Sequence, residues 1–142
     1  MKTVGQLLHN KGRDVWSISP DASVYDAIAM MAEKEIGALM VMTESKVVGV
    51  ISERDYARKV ILKGRSSRET KISEIMTTRV VYTGPDKSIE ECMALMTDKR
   101  IRHLPIMENE QLLGVVSIGD LVKTIIAEQQ FLIEQLEHYI AG

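Results

Sequence analysis

The chain has 142 residues and a formal net charge of −2, with 45% hydrophobic and 27% charged residues. That is globular composition at a length that buries a core unaided, so disorder is excluded. One cysteine and three scattered histidines exclude a disulfide framework and a zinc-finger cluster, and the slightly acidic balance argues against a nucleic-acid binder.

The first segment, Met1 to Asp14, has no apolar core of signal-peptide length. The longest apolar run is Ile36 to Met42, far short of a membrane span. These features predict a cytoplasmic protein with no membrane partner. A short strand is expected at Val15–Ile18, followed by a Pro20-Asp21 turn. Ser23 then caps a helix whose apolar face is Val24, Ala27, Ile28 and Met31. The runs Ala38–Met42 and Val47–Ile51, split by polar residues, read as a buried hairpin. A second helix begins at Ser52. Lys63–Thr70, with Gly, two Ser and several charges, reads as a linker.

The same order then repeats. Shifted by 65 residues, Val15–Tyr56 lies on Val80–Leu121 without a gap, with 14 of 42 positions identical. Chance would give about two or three. Val4–Leu8 resembles Ile72–Met76 at an offset of 68. The second copy offers a strand at Val80–Tyr82, a Ser88-Ile-Glu-Glu91 capping box, and a helix face of Ile89, Cys92, Met93 and Met96. Strands Leu104–Met107 and Leu112–Val116 follow, and then a helix from Ser117. Cys92, aligned with Ala27, reads as a small core residue. Two βαββα units are expected, an α/β (α+β) fold with pseudo-twofold symmetry. The expected divisions are 1–66 with an N-terminal helix, 67–127, and a helical extension over 128–142.

The last strand of each unit enters its second helix through Gly49-Val-Ile-Ser-Glu-Arg-Asp55 and Gly114-Val-Val-Ser-Ile-Gly-Asp120, both G-h-h-S-x-x-D. Local chemistry allows two readings. Ser at the N-cap and Asp at N3 make a capping box. Alternatively, the helix N-terminus and Ser hydroxyl meet a phosphate, the carboxylate accepts both hydroxyls of a ribose, and the Gly admits a ligand to the backbone. The spacing in Gly114-Val-Val-Ser-Ile-Gly119 is not that of a nucleophile elbow.

This duplicated βαββα pattern with two G-h-h-[ST]-x-x-D motifs resembles a tandem pair of cystathionine-β-synthase (CBS) domains, a Bateman module, from about Val4 to Val122. Ile36-Gly-Ala-Leu39 and Ile101-Arg-His-Leu-Pro105 match the segment that opens the family's middle strand. The resemblance implies a non-catalytic regulatory module that binds AMP, ADP, ATP, NAD or S-adenosylmethionine between its repeats, commonly dimerises, and signals to an effector protein. Carried over, one site would use Ser52, Arg54, Asp55 and Arg58 with Val81, Arg102 and His103. The other would use Ser117 and Asp120 with Trp16, Gly37 and Ala38. The first set is richer in cations and suits phosphates. The second has Gly119 in place of Arg54 and Gly37 in place of Arg102, and suits adenosine-like groups. A nucleotide-processing enzyme using Asp55 or Asp120, and a structural dimerisation module with vestigial sites, are the competing readings.

Residues 54–71 hold seven basic side chains against two acids, and 108–142 hold six acids against Lys123 alone. The basic run has one aromatic, Tyr56, so it lacks stacking platforms and reads as a solvated face. From Ile118 to Ile140 apolar residues recur at helical spacing with no Pro. Beyond Glu128 such a helix outruns its unit and needs a cover, its own module or a second copy of the chain.

Overall fold

The computed structural model describes residues 2–12 and 15–141; the ends of the Met1–Asp14 segment, and Gly142, lie outside them. The elements run α1 (Val4–Lys11), β1 (Ser17–Ile18), α2 (Val24–Lys34), β2 (Ala38–Thr43), β3 (Lys46–Ser52), α3 (Glu53–Tyr56), α4 (Ile89–Lys99), β4 (His103–Glu108), β5 (Gln111–Ser117) and α5 (Ile118–Ala141). A π-helical turn, Ala57–Ile61, continues α3, and a 3₁₀ turn covers Ile72–Glu74. This is a mixed α+β architecture with two like units and a long C-terminal helix.

By contact, one unit comprises residues 14–80 with 109–112, and the other comprises 1–13, 81–108 and 113–142. The N-terminal helix, grouped by chain order with the first repeat, therefore packs with the second. The cause is its apolar face: Val4, Leu7 and Leu8 are buried in one cluster with Ile89, Cys92, Met96, Leu104, Ile106, Val116 and Leu121. Backbone bonds fix it there, Val4 N–H to Lys87 O at 2.8 Å and Gly5 N–H to Pro85 O at 2.9 Å. The repeat explains the exchange. Ile72 and Ile75, the counterparts of Val4 and Leu7, fill the same place in the first repeat's core beside Val24, Met31, Leu39 and Ile51. Each such fully buried aliphatic side chain contributes about 1.5–3 kcal/mol.

Within the first unit, β1 pairs parallel with β2, and β2 antiparallel with β3 from Ala38↔Ser52 to Thr43↔Lys46, with an irregularity at Val41/Met42. The middle strands are buried on the core side in both units, with the same pattern in β2 and β4. The second unit has a β4–β5 pair. The strand expected at Val80–Tyr82 does not form; Thr83 alone bridges Ile106 in parallel. The Gly84-Pro85 turn follows too closely for a ladder to extend.

Shared details extend to the turns. Both hairpins close through two residues of positive φ, Glu44-Ser45 (48° and 69°) and Asn109-Glu110 (52° and 65°). That is the I′ geometry that matches strand twist, and it disfavours residues with a Cβ. Ser45→Gly should raise stability by about 0.5–1 kcal/mol, read as a higher urea midpoint with an unchanged slope. Both α2 and α4 end on a left-handed residue, Glu35 and Arg100, at φ 56°.

Ser23 and Ser88 cap as expected, accepting from the N–H groups of Asp26 and Glu91 at 3.1 Å. The Ser88–Glu91 box is one-sided; among the described residues Glu91 returns no bond, and Ser88 instead bridges Thr3. Full boxes form at Thr3/Gln6, Ser52/Asp55 and Ser117/Asp120. The Lys63–Thr70 stretch is not a loose linker. Thr70 is buried, and Thr70 O and Ser67 O accept from the first N–H groups of α2 at 2.9 Å. Arg68 stacks 3.9 Å from the centre of the Tyr25 ring.

Cys92 is buried, and burial pushes its thiol up to about 11, which keeps it neutral and inert. In α5 only Leu121 is fully buried, and residues 129–141 are all exposed, among them Leu132, Leu136 and Tyr139. Among the described residues, the extension does not fold back on its own module. Deleting residues 129–142 should leave the thermal midpoint nearly unchanged while lowering any self-association seen by sedimentation. No helix among the described residues is long and apolar enough to cross a membrane.

Candidate functional site

Both G-h-h-S-x-x-D motifs form the capping box. In the first, Ser52 Oγ accepts from Asp55 N–H at 3.2 Å, and Asp55 Oδ2 accepts from Ser52 N–H at 3.0 Å and from Ser52 Oγ at 3.1 Å. In the second, Ser117 Oγ accepts from Asp120 N–H at 3.1 Å, and Asp120 Oδ2 accepts from Ser117 N–H at 2.8 Å. A further backbone group closes each helix start: Glu53 N–H donates to Gly37 O at 3.0 Å, and Ile118 N–H to Arg102 O at 2.9 Å. Two of the first three N–H groups at each start are thus engaged by the chain itself, which narrows the phosphate cradle read from the sequence.

The motif glycines face neighbouring segments of their own units. A Cβ on Gly49 would stand 2.8 Å from Met76 Sδ and 3.0 Å from Thr77 O; on Gly114 it would stand 2.8 Å from Leu8 Cδ2. Gly49 and Gly114 are small because Ile72–Met76 and Val4–Leu8 lie across their strands. This corrects the reading in which they admit a ligand to the backbone.

Each motif carboxylate is held by a lysine. Lys59, one turn after Asp55, sits 3.1 Å from Asp55 Oδ1 and donates to Ile75 O at 2.9 Å. Thr77 Oγ1 adds a bond to the same Oδ1 at 3.3 Å. Asp55, at 9% exposure, is therefore engaged at both oxygens. Asp120 meets Lys11, the last residue of α1, whose Nζ lies 2.6 Å from Oδ2 and 2.9 Å from Val115 O. Burial alone would raise the Asp120 carboxyl. The Lys11 ammonium and the Ser117 N–H outweigh it and hold the group below the usual carboxylate range. Stability from this pair is present above the unfolded carboxyl's ordinary value and is lost as pH falls through the lowered one.

The remaining expected residues divide between the units. Ser52, Arg54, Asp55, Arg58, Trp16, Gly37 and Ala38 lie in the unit of residues 14–80, and Val81, Arg102, His103, Ser117 and Asp120 in the other. Gly37 and Arg54, which the sequence put into separate sites, line one open groove of about 740 Å³ with Ile28, Met31, Ile36 and Tyr56. Arg58 is exposed on the π-helical turn, whose i→i+5 bond from Leu62 N–H to Ala57 O interrupts the simple one-turn relation with Arg54. Trp16 is 45% exposed, and Lys34 Nζ lies 4.2 Å over its ring. Val81 packs on the core of its unit. Lys11 and Thr77 were missed because nothing local marks them. Lys59, at i+4 from Asp55, was legible as a salt-bridge spacing.

Comparison with known proteins places this geometry. Residues 4–62 and 72–127 each match the CBS domain. The mitochondrial CBS domain-containing protein CBSX3 of Arabidopsis thaliana is 37% identical, over 99% of this chain and 72% of that protein. A solved CBS-domain protein from Burkholderia ambifaria MC40-6 is 50% identical with a TM-score of 0.86, covering 90% of this chain and 96% of the other. The CBS domain pair of protein MJ0100, solved with 5′-methylthioadenosine and S-adenosyl-L-methionine, shares the fold at 21% identity and a TM-score of 0.79, over 90% of this chain and 98% of that one.

Proposed function

The chain belongs to the CBS-domain family, and we propose that it is a regulatory module whose two Ser/Asp motifs bind an adenine nucleotide and whose altered conformation is read by another protein. The observation that carries this reading is the pair of Ser/Asp motifs, each holding a serine hydroxyl beside a carboxylate at a helix start. A carboxylate there accepts the hydroxyls of a ribose, and the nearby cations answer a phosphate. Arg54, Arg58, Arg102 and His103 supply cations for a phosphate, while Trp16, Gly37, Ala38 and Val81 supply apolar or small surface for a base. AMP, ADP, ATP and NAD all present this chemistry. The adenosine ligands of MJ0100 support the ligand class. A cytoplasmic homodimer acting on an effector protein is the setting this reading takes.

The test is calorimetry with AMP and ATP on the purified chain, beside mass spectrometry of what co-purifies with it. Micromolar binding that Arg102→Ala weakens more for AMP than for adenosine supports the reading. No adenine compound binding at millimolar concentration would sink it, as would turnover of ATP or NAD by the pure protein.

A further inference from the structure

The sequence leaves the second motif without a cation, since Gly119 replaces Arg54 and Gly37 replaces Arg102. The fold supplies one from 109 residues away: Lys11 Nζ lies 2.6 Å from Asp120 Oδ2. Neither partner is sealed off, with side chains 39% and 23% exposed. Two bonds to Asp120 fall on one oxygen. Oδ2 accepts both the Lys11 ammonium and the Ser117 N–H, at 2.6 Å and 2.8 Å.

A carboxylate oxygen has two lone pairs, so these two donors fill Oδ2. A vicinal diol binds a carboxylate best with one hydroxyl on each oxygen. With Lys11 in place, the diol has Oδ1 and no vacancy on Oδ2. One donor must yield. Ser117 N–H is part of the capping box that starts α5, so it stays. Lys11 is the donor that can leave, because its ammonium sits on a flexible four-carbon stem and keeps a second partner in Val115 O.

Taking the ammonium off Asp120 costs a charge-assisted bond. A neutral nucleoside returns nothing for it. A ligand carrying an anionic group gives the ammonium a new partner. We propose that Lys11 is a specificity-determining residue of the second motif, which makes that motif take a phosphorylated ribose ligand in preference to the neutral nucleoside. This rests on the reading of Ser117 and Asp120 as an adenosine-ligand site. It replaces the sequence expectation that the second motif favours adenosine-like groups. It also makes α1 the element that senses occupancy there, since Lys11 is its last residue.

The experiment titrates the ¹⁵N-labelled full chain with AMP and with adenosine, following the amide signals of Ser117 to Asp120 so that only this motif is read. Wild type should prefer AMP by about tenfold or more, the worth of one charge-assisted hydrogen bond. Lys11→Gln, which keeps a donor for Val115 O without the charge, should bring the two affinities together, adenosine tightening and AMP weakening. Lys11→Arg should keep the preference. Lys11→Met repeats the test should Lys11→Gln disturb the α1 signals. An unchanged preference in Lys11→Gln and Lys11→Met, with the motif signals still shifting, overturns the role of Lys11 and leaves the site reading intact. Motif signals that move with neither compound overturn the site reading, and this proposal with it.

Discussion

Gly49→Val should destabilise the first unit by about 1–3 kcal/mol, the range for forcing extra methyl groups into packed space. The reason is a contact that glycine alone permits. A Cβ there would stand 2.8 Å from Met76 Sδ and 3.0 Å from Thr77 O. The thioether can move, because Met is flexible. The Thr77 carbonyl cannot, because it accepts from Val50 N–H at 2.9 Å while Thr77 N–H donates to Val50 O at 2.9 Å. A branched side chain would have to break that bridge or displace the strand. Gly114→Val should cost less, because its nearest neighbours are the side-chain atoms of Leu8. Urea unfolding of both variants checks the order. Equal losses would show that the Val50–Thr77 bridge holds nothing in place.

That asymmetry marks where the sequence ran out. The repeat made the elements legible, because equal spacing of Ser caps, helix faces and apolar runs needs only local chemistry. Ser23, Ser88, Ser52 and Ser117 all cap as their spacing predicts. The motif was legible too, down to the Ser/Asp reciprocity. What local chemistry could not carry was pairing across long sequence separation. Val4–Leu8 resembles Ile72–Met76, but nothing in that likeness says that Val4–Leu8 crosses to the second repeat's core. With that crossing unseen, Lys11 had no address, and the second motif was read as short of charge. The motif glycines were misread for the same reason: a small residue on a strand signals close approach, and the sequence does not say of what. The short strand at Val80–Tyr82 failed for a nearer cause, since three apolar or aromatic residues do not make a ladder beside Gly84-Pro85.

Asp55→Ala should abolish ribose recognition at the first motif, where the Ser52 and Thr77 hydroxyls must turn from the carboxylate to admit a diol, a loss of about 1.5–3 kcal/mol in nucleotide binding, or roughly 10- to 150-fold. It should also lower stability, because this carboxylate does structural work. Asp55 accepts from Ser52 N–H, Ser52 Oγ, Thr77 Oγ1 and Lys59, so removing it strands two hydroxyls and an ammonium around a largely buried space. Loss of the cap alone costs about 0.5–2 kcal/mol. The two effects are separable. Asp55→Asn keeps the size and an acceptor oxygen but not the charge, so it should retain most of the cap while weakening the hold on a diol. The expected pattern is therefore a small stability loss with a large affinity loss for Asp55→Asn, and large losses of both for Asp55→Ala. Calorimetry with AMP beside urea unfolding reads each quantity. Affinity that falls only in step with stability across the two variants would make Asp55 a cap and nothing more. Affinity that falls in Asp55→Asn while the fold holds would make it the ribose acceptor.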